Sequence, residues 1–478
     1  MGRLVQPSPA IGAHRQHPAG RSRGTLLRHA GNSAHGRVTQ TKWPPANPGR
    51  FITLRMPELS ARKHRKHTMR TVQGNFRALR VGLIASEFFD STITGHADLG
   101  GYGMLARNYI AEYIPCDEIE IETILGFSKN SNFEYFFRDS RKKIVLLPNH
   151  LNKFSSKNLF SLLKHYILKS ISRYRVRKYL RTFDLFVVIE ASNRHILNLI
   201  PNFVPLILYI QDPRPKSDWD EIDTVPTADT GSPRPGPELR MLFKRFIQEN
   251  RFMAISQNSE IIAKARELYD LPTDLDIATL KNPVFISNDM LPSRGRKLNA
   301  VAWLGRLDSV KRPWLALEVA RLMPDVEFYF MGTVQQEIVN YIIYPYKDLA
   351  NVRLLGHIEG EEKRSILSKT KVLINTSIHE ATPISFLEAL SHENLIISCQ
   401  NPDEITSSFG IFVGIILGDG RDNAGLFVEG IRKIIGDDER YGRLARRARD
   451  YVLAEHDVRN WQTNLRGIIR KGANRSLS

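Results

Sequence analysis

The sequence predicts an α/β protein made of two Rossmann-like halves, each with a doubly wound, mostly parallel sheet. Short apolar runs such as 80–85 (RVGLIA) and 183–190 (FDLFVVIE) alternate with stretches of helical spacing, which is typical of sheets covered on both faces. The alternation pauses at the polar stretch 287–298 and then resumes, so the pattern occurs twice. The length of 478 residues agrees with two halves, since one domain usually holds roughly 100–200 residues.

Each half contains its own series of predicted strands. In the first half, a helix at 104–113 follows the glycine turn Gly100-Gly101-Tyr102-Gly103, and the acidic, Pro-rich segment 212–237 is expected to form a loop. Its strands are expected at 80–85, 119–125, 143–147, 183–190, 205–210 and 252–255. The second half predicts a helix at 314–322 and strands at 299–304, 326–331, 352–355, 372–375 and 395–398. We therefore divide the chain into a tail at 1–75, an N-terminal domain at 76–284, a C-terminal domain at 285–455 and a final segment at 456–478.

The net charge of +18 resides mainly in the tail. Residues 1–75 hold 14 Lys and Arg and one acid, Glu58, whereas residues 76–478 hold 54 Lys and Arg against 49 acids. The tail has no hydrophobic period, which predicts a disordered extension, or an over-long start with the true one at Met56 or Met69. Because the folded part is nearly balanced in charge, nucleic acid is disfavoured as a partner.

The cysteine count and the apolar runs restrict the class of protein further. The chain has two cysteines, Cys116 and Cys399, which suits a reducing compartment and excludes a Cys-rich metal cluster. No apolar run reaches the roughly 18–20 residues of a membrane-spanning helix. A cytoplasmic protein is therefore expected.

Two features in the sequence are suited to binding a diphosphate. Glycines in the turn at Gly100 and Gly101 allow backbone N–H groups to approach an anion beside a helix N-terminus, although an ordinary turn is an equal interpretation. Arg306 and Lys311 directly follow the strand 299–304. Since ligands of such sheets bind at the carboxyl ends of strands, these two cations are expected over the cleft between the halves.

Two further features are suited to hydroxyl groups. Glu380 lies in a loop after the strand 372–375, and Glu388 lies in the helix that follows, in which Thr382 is the expected N-cap and Pro383 the expected first residue. A carboxylate accepts hydrogen bonds from two neighbouring hydroxyls at once. Asp212, after the strand 205–210, is a candidate acceptor-side group, with a turn-initiating Asp before Pro as the alternative.

The order of these elements resembles the family-4 retaining glycosyltransferases of GT-B fold, over about residues 80–470. The resemblance is carried by the Gly-Gly turn, Arg306-x4-Lys311, Gly356 after a strand, the segment 376–380 (TSIHE) and Glu380-x7-Glu388. It implies that the final segment crosses back onto the N-terminal domain and that the two domains face a cleft.

The resemblance also implies residue roles. Gly100 and Gly101 would lie beside the donor phosphate, Arg306 and Lys311 would hold the diphosphate, Glu380 would contact the donor sugar and Glu388 the ribose. The sequence departs from the family at Glu380-Ala-Thr-Pro, where many members have Glu-Gly-Phe-Gly, and at Gln211, where many have His. The implied donor-binding set is Gly100, Gly101, Arg306, Lys311, Glu380, Thr382, Pro383, Ile384, Ser385 and Glu388, and the implied catalytic set is Arg306, Lys311, Glu380 and Asp212.

The implied activity is transfer of a hexose-type sugar from a nucleotide diphosphate sugar to a saccharide or lipid-linked acceptor, in polysaccharide or glycoconjugate biosynthesis. The route is same-face attack with retention, with the leaving diphosphate taking the acceptor proton, and it needs no metal and no other cofactor. Asp218-Trp219-Asp220 imitates an Asp-x-Asp metal motif but falls in the predicted loop.

The segment 160–183 contains seven Lys and Arg and no acid, interleaved with Leu, Ile and Tyr. Two interpretations are equally supported: a helix lying on an anionic membrane surface, which would make the protein peripheral on the inner face of a membrane, and a core-packed helix with a solvated basic face. Other function classes also remain: an epimerase or phosphorylase on the same fold, a catalytically silent nucleotide-sugar-binding protein, and a nucleic-acid-binding protein that uses the basic tail.

Overall fold

The computed structural model describes residues 77–85, 101–128, 132–137, 143–148, 159–190, 193–225, 236–285, 297–334 and 344–475. The predicted tail at 1–75 lies outside these ranges, as does Gly100. Both sheets belong to one compact unit, Phe51–Ser478.

The N-terminal lobe is built on an eight-stranded sheet. Its strands lie in the spatial order β3-β4-β2-β1-β5-β6-β7-β8, and every neighbouring pair is parallel except β3 and β4. In chain order they are β1 (Leu79–Ile84), β2 (Ile119–Phe127), β3 (Glu134–Phe137), β4 (Lys143–Leu147), β5 (Leu185–Ile189), β6 (Leu206–Ile210), β7 (Phe252–Ser256) and β8 (Ile277–Thr279).

Helices connect these strands. The first, α1, runs through Gly101–Met104, Leu105–Ile110 and Ala111–Tyr113 with a π-helical turn in its middle. The others are α2 (Leu159–Leu180), α3 (Arg194–Leu197), α4 (Lys216–Ile222), α5 (Pro237–Gln248) and α6 (Glu260–Tyr269).

The C-terminal lobe has a six-stranded, fully parallel sheet in the order β11-β10-β9-β12-β13-β14. Its strands are β9 (Ala300–Leu304), β10 (Glu327–Met331), β11 (Val352–Gly356), β12 (Val372–Asn375), β13 (Leu395–Ser398) and β14 (Gly410–Phe412). Its helices are α7 (Pro313–Leu322), α8 (Gly360–Lys369), α9 (Ile384–Ser391), α10 (Ile405–Ser408), α11 (Ala424–Ile435) and α12 (Asp438–Glu455). The direction of winding reverses between β9 and β12, which is where ligands bind in sheets of this kind.

The predicted fold class is confirmed, since both parallel sheets are present and each predicted strand corresponds to an observed one. The sequence missed β3, β8 and β14, which are edge strands of three or four residues. The prediction of a loop at 212–237 was wrong in part, because α4 occupies 216–222 and α5 begins at Pro237. Short edge strands and a two-turn helix contain too few residues to show a period.

The two lobes interlock within this unit. Trp219 and Ile222 of α4 are buried in the hydrophobic core of the C-terminal lobe. Ile384, the first residue of α9, is buried in turn in the core of the N-terminal lobe. Between them, Asn258 Nδ2 donates to Thr382 Oγ1 at 2.9 Å. The cleft is thus bordered by direct contacts between the lobes.

The chain returns to the N-terminal lobe in its last helix, α13 (Val458–Asn474). Trp461 is 3% exposed, lies edge-on to Tyr109 with ring centroids 6.2 Å apart, and donates from Nε1 to the Tyr209 hydroxyl at 3.2 Å. Arg466 donates to the carbonyl groups at the end of α1, on Tyr113 and Ile114. The final helix therefore closes one face of the first sheet.

Replacing Trp461 by Ala is expected to lower the free energy of unfolding by about 3–5 kcal/mol, because it removes a large buried ring and leaves a cavity between α13 and the sheet. Urea denaturation followed by circular dichroism measures this change. Met241→Ala is the matched control, since Met241 is 65% exposed on the same lobe. Its effect should stay within about 0.5 kcal/mol. Equal effects of both substitutions would contradict the packing role of α13.

Candidate active-site cleft

The loop after β9 is fixed by close backbone packing against β10. Gly305 N donates to Met331 O at 3.0 Å, and Leu307 N donates to Thr333 O at 2.9 Å. Gly332 makes this approach possible, since its φ is +154° and a Cβ there would lie 1.7 Å from Gly305 O. Arg306 therefore follows the strand at a defined place, with Nε 3.2 Å from Asp308 Oδ2.

Lys311 and Glu380 meet at the point where the winding reverses. Lys311 Nζ lies 2.6 Å from Glu380 Oε1, and the same oxygen accepts from Ser377 Oγ at 2.6 Å and Asn375 Nδ2 at 3.0 Å. The Glu380 side chain is only 9% exposed. Burial opposes its ionisation, but Lys311, Ser377 and Asn375 lower the pKa of Glu380 below its ordinary value. The loops after β9 and β12 are thus joined by a buried, ionised pair.

Arg312 stabilises the loops that carry this pair, and no motif in the sequence indicated it. The side chain is fully buried and donates to the carbonyl oxygens of Thr376, Ile416 and Gly418 at 2.8, 2.8 and 2.9 Å. It is also the N-cap of α7, with a φ of +45°. A buried guanidinium satisfied by carbonyls holds three loops in one arrangement.

Glu388 lies one helical turn into α9 and has its own cation. Lys363 of α8, which is 8% exposed, places Nζ 2.6 Å from Glu388 Oε1. Burial raises the pKa of Tyr109 in α1, and the negative charge of Glu388 raises it further. Glu388 thus belongs to the face of α9 that approaches α1 across the cleft.

The N-terminus of α9 differs by one residue from the prediction. Pro383 is the N-cap and Ile384 the first helical residue, so Thr382 is not the cap. Thr382 Oγ1 instead donates to Asp403 Oδ2 at 2.7 Å and accepts from Asn258. Within the described residues no side chain caps α9, which leaves the backbone N–H groups of Ile384 and Ser385 for a ligand.

Asp212 reaches this group from the opposite lobe. Its Oδ1 lies 2.7 Å from His379 Nε2 and its Oδ2 accepts from Arg214 Nη2 at 2.5 Å. Burial would raise the pKa of Asp212, but Arg214 and His379 lower it well below its usual range. An ionised carboxylate only accepts hydrogen bonds, so His379 Nε2 carries the proton in this contact.

His379 is a site residue that sequence reasoning missed. It immediately precedes Glu380, is 5% exposed, and also lies 3.7 Å from Asp218. Asp218 is paired at 2.8 Å with Lys264, whereas Asp220 is exposed and paired with Lys216. The two carboxylates of the Asp-x-Asp sequence therefore have separate partners.

Glu190 is a second missed residue, and it fixes the position of Asp212. Its Oε2 accepts from the backbone N–H groups of Gln211 and Asp212 at 2.7 and 2.9 Å, and its Oε1 accepts from the hydroxyl of Tyr269. The residue follows β5 with a φ of +50°. Burial raises the pKa of Glu190, while the contact with Tyr269 lowers it.

Gly101 of the glycine turn is the first described residue of α1 and is exposed. A Cβ at this position would meet no atom within 4 Å. The next residue, Tyr102, directs its hydroxyl to Asp212 O at 3.4 Å. The N-terminus of α1 therefore lies beside the Asp212 loop, on the same cleft as the C-terminal cluster.

Replacing Lys311 by Met is expected to destabilise the fold by about 3 kcal/mol at pH 7, because Glu380 is left as a buried, unpaired carboxylate. The pKa of Glu380 is lowered in the wild type and would be raised in the variant. Stabilisation by the wild-type pair is full above the ordinary pKa of 4.5 and is lost only as the pH falls from there through the lowered pKa of the folded protein. In the variant, the raised pKa lets Glu380 take up a proton at a higher pH, which removes the buried unpaired charge. The penalty measured by urea denaturation should therefore shrink between pH 7 and pH 4.

Lys433→Met provides the control for that measurement. Lys433 also forms a 2.6 Å ion pair, with Glu429, but the two side chains are 61% and 63% exposed. No measurable change is expected there, because solvent screens the pair. A Lys311→Met penalty that is equal at both pH values would contradict the buried pair.

The comparisons with known proteins bear on the family of the C-terminal lobe and on the fold. Residues 293–451 match the family model described as glycosyl transferases group 1. A comparison with curated protein sequences gives no match.

Solved structures resemble the chain over most of its length. Sucrose-phosphate synthase from Thermosynechococcus elongatus is 14% identical with a TM-score of 0.59, covering 82% of this chain and 98% of that one. HepE from Anabaena, in complex with UDP and glucose, is 14% identical with a TM-score of 0.55, covering 82% and 99%. A glycosyltransferase from Rickettsia africae is 11% identical with a TM-score of 0.54, covering 84% and 100%. At these identities the likeness concerns the fold, which is the GT-B architecture of two Rossmann-like domains.

Proposed function

We propose that the chain is a retaining glycosyltransferase that moves a hexose-type sugar from a nucleotide diphosphate sugar to a saccharide or lipid-linked acceptor, in polysaccharide or glycoconjugate biosynthesis. The observation that carries the proposal is the meeting of the Lys311–Glu380 pair, at the ends of β9 and β12, with the His379–Asp212 contact from the other lobe. The family match of the C-terminal lobe to glycosyl transferases group 1 supports it.

On the donor side, the diphosphate binds to two cations and to the N-terminus of α9. Arg306 and Lys311 supply fixed positive charge, and Ile384 and Ser385 offer N–H groups at the uncapped start of α9. Lys311 already contacts Glu380, so an arriving phosphate oxygen shares a preplaced ammonium group. Such preorganised charge is most effective where negative charge develops on the leaving diphosphate.

The two glutamates accept hydrogen bonds from the hydroxyl groups of the donor. All three contacts of Glu380 described above converge on Oε1, and the proposal assigns Oε2 to a hydroxyl of the transferred sugar. Glu388, held by Lys363, is assigned to the ribose. Both carboxylates accept from neighbouring hydroxyls without needing to change protonation.

The reaction proceeds on one face of the sugar. A bond forms between the acceptor oxygen and the anomeric carbon while the bond from that carbon to the phosphate oxygen breaks, and the acceptor proton passes to the leaving diphosphate. Asp212 and His379 orient the acceptor hydroxyl for this attack. The proposed route draws its electrostatic stabilisation from Arg306, Lys311 and the helix terminus, so it requires no metal.

A thermal-shift panel of UDP, GDP and ADP and their sugars tests donor binding. A ligand at 100 times its dissociation constant should stabilise the protein by roughly 2.7 kcal/mol. Lys311→Ala and Glu388→Ala are expected to abolish the shift, because each removes a contact to the nucleotide diphosphate. Glu429→Ala, on an exposed face of α11, should retain it. If both site variants respond like the wild type, the donor site is wrongly assigned.

Substitutions at the interlobe contact test the chemical step. Asp212→Asn and His379→Gln should keep the donor-induced thermal shift but lower the turnover of the donor found in the panel by about 10²-fold or more. Because the two side chains act as one unit, the double variant should be little worse than either single one. Release of the nucleoside diphosphate measures the rate, and EDTA should leave it unchanged.

Asp220→Asn is the matched control, since Asp220 lies on α4 in the same segment but is 54% exposed at its side chain. Its rate should equal that of the wild type. Wild-type turnover in Asp212→Asn would remove this residue from the reaction. Consumption of the donor that depends on free phosphate or water, and never on a saccharide or lipid-linked acceptor, would favour a phosphorylase or epimerase.

A further inference from the structure

The helix α2 exposes apolar side chains that its own lobe does not cover. Among the residues of α2 whose burial is described, only Ser172, Val176 and Leu180 are buried. Six large apolar side chains are between 49% and 66% exposed: Leu163, Tyr166, Ile167, Leu168, Ile171 and Tyr174. Isolated exposed apolar residues are ordinary, but a contiguous set on one helix marks an interaction surface.

Four of these side chains form one row. Leu163, Ile167, Ile171 and Tyr174 follow each other at spacings of four, four and three residues, which places them on a single helical face. At 1.5 Å per residue the row is roughly 17 Å long. It lies opposite the buried residues Val176 and Leu180, so it points away from the sheet.

Positive charge accompanies this apolar row. The helix contains six cations and no acid: Lys164, Lys169, Arg173, Arg175, Arg177 and Lys178. Lys164, Arg177 and Lys178 are exposed, and Arg181 follows directly after the helix. The interpretation of α2 as a core-packed helix with a solvated basic face is therefore insufficient, because its outward face is also apolar.

An apolar face with cations beside it and no acid complements a surface that is apolar inside and negatively charged outside. That combination is found at the interface of an anionic bilayer, where apolar side chains enter the acyl boundary and cations meet the headgroups. None of the helices in the described ranges combines the length and the apolar character that a membrane-spanning segment requires.

We infer that α2 docks the N-terminal lobe onto an anionic membrane surface, with the apolar row inserted at the headgroup boundary and Lys164, Arg177 and Lys178 among the phosphates. The buried residues Val176 and Leu180 fix the helix to the lobe, so docking needs no refolding. The inference is independent of the proposed reaction, since it involves neither the donor nor the cleft.

Co-sedimentation of the full-length protein with vesicles tests it. Vesicles of phosphatidylcholine mixed with phosphatidylglycerol should bind the wild type at least about tenfold more tightly than phosphatidylcholine alone, and salt should weaken the binding. Ile167→Gln with Ile171→Gln should weaken binding about tenfold. Separately, Lys164→Gln, Arg177→Gln and Lys178→Gln together should also weaken it about tenfold. All substituted positions are exposed, so circular dichroism should remain that of the wild type.

Two controls leave the basic tail in place and make the corresponding changes elsewhere, the second with the same loss of three positive charges as the α2 triple variant. Met241→Gln removes an apolar side chain, 65% exposed, elsewhere on the same lobe and should bind like the wild type. Arg440→Gln, Arg446→Gln and Arg447→Gln remove three exposed cations from α12 and should also bind like the wild type.

Other outcomes would overturn the inference. If the α2 variants sediment with anionic vesicles as the wild type does, or if the α12 triple variant loses as much binding as the α2 triple variant, the membrane contact does not lie at α2. If the wild type is a dimer in sedimentation velocity and the Ile167→Gln, Ile171→Gln variant is a monomer, the row joins two copies of this chain instead. Donor-induced thermal shifts, measured without vesicles, report separately on the proposed function.

Discussion

The buried ion pair between Lys311 and Glu380 is the contact on which the C-terminal side of the cleft depends. It links the loop after β9 to the loop after β12, the two strands between which the sheet changes its direction of winding. The buried carboxylate of Glu380 is tolerated only when it is paired and otherwise hydrogen-bonded, and Ser377 and Asn375 supply the donors besides Lys311. The Arg312 guanidinium also donates to the backbone carbonyls of Thr376, in the loop after β12, and of Ile416. The C-terminal side of the cleft is consequently formed before any ligand arrives.

The opposite side of the cleft is joined to this pair by one residue. His379 precedes Glu380 in the same loop, yet its imidazole contacts Asp212 of the other lobe, and Asp212 is in turn held through its backbone by Glu190. An opening of the lobes would separate His379 from Asp212 but leave Lys311 and Glu380 together, since the latter lie on one lobe. Asp212 therefore reaches the loop of Glu380 only in the closed arrangement, and in the proposed reaction this closure would complete the active site.

The sequence was sufficient for the features that depend on local pattern. Buried parallel strands are apolar runs bounded by polar residues, so β1, β9 and β12 could be predicted, together with the residues at their carboxyl ends. The residues that were missed have their effect through distant partners: Arg312 contacts carbonyls more than 60 positions away, His379 contacts Asp212 167 positions away, and Glu190 contacts Tyr269 79 positions away. Nothing in the local sequence around these side chains shows which group they will meet. The N-cap of α9 was misplaced for a similar reason, because Thr382 is engaged by Asn258 and Asp403 instead of by its own helix.

The two glutamates of the Glu-x7-Glu element also show how one pocket tolerates several carboxylates. Glu380 is paired with Lys311 from the loop after β9, and Glu388 is paired with Lys363 from α8, so each acid has a cation from a different element. The cation matters for Glu380 because burial alone would raise its pKa, whereas Lys311 lowers it. Each glutamate presents acceptor oxygens, while Arg306 and the start of α9 contribute positive character in the same lobe. A ligand that brings neutral hydroxyl groups to the glutamates and negative charge to the cations matches this distribution, whereas an anionic sugar would meet repulsion at Glu380.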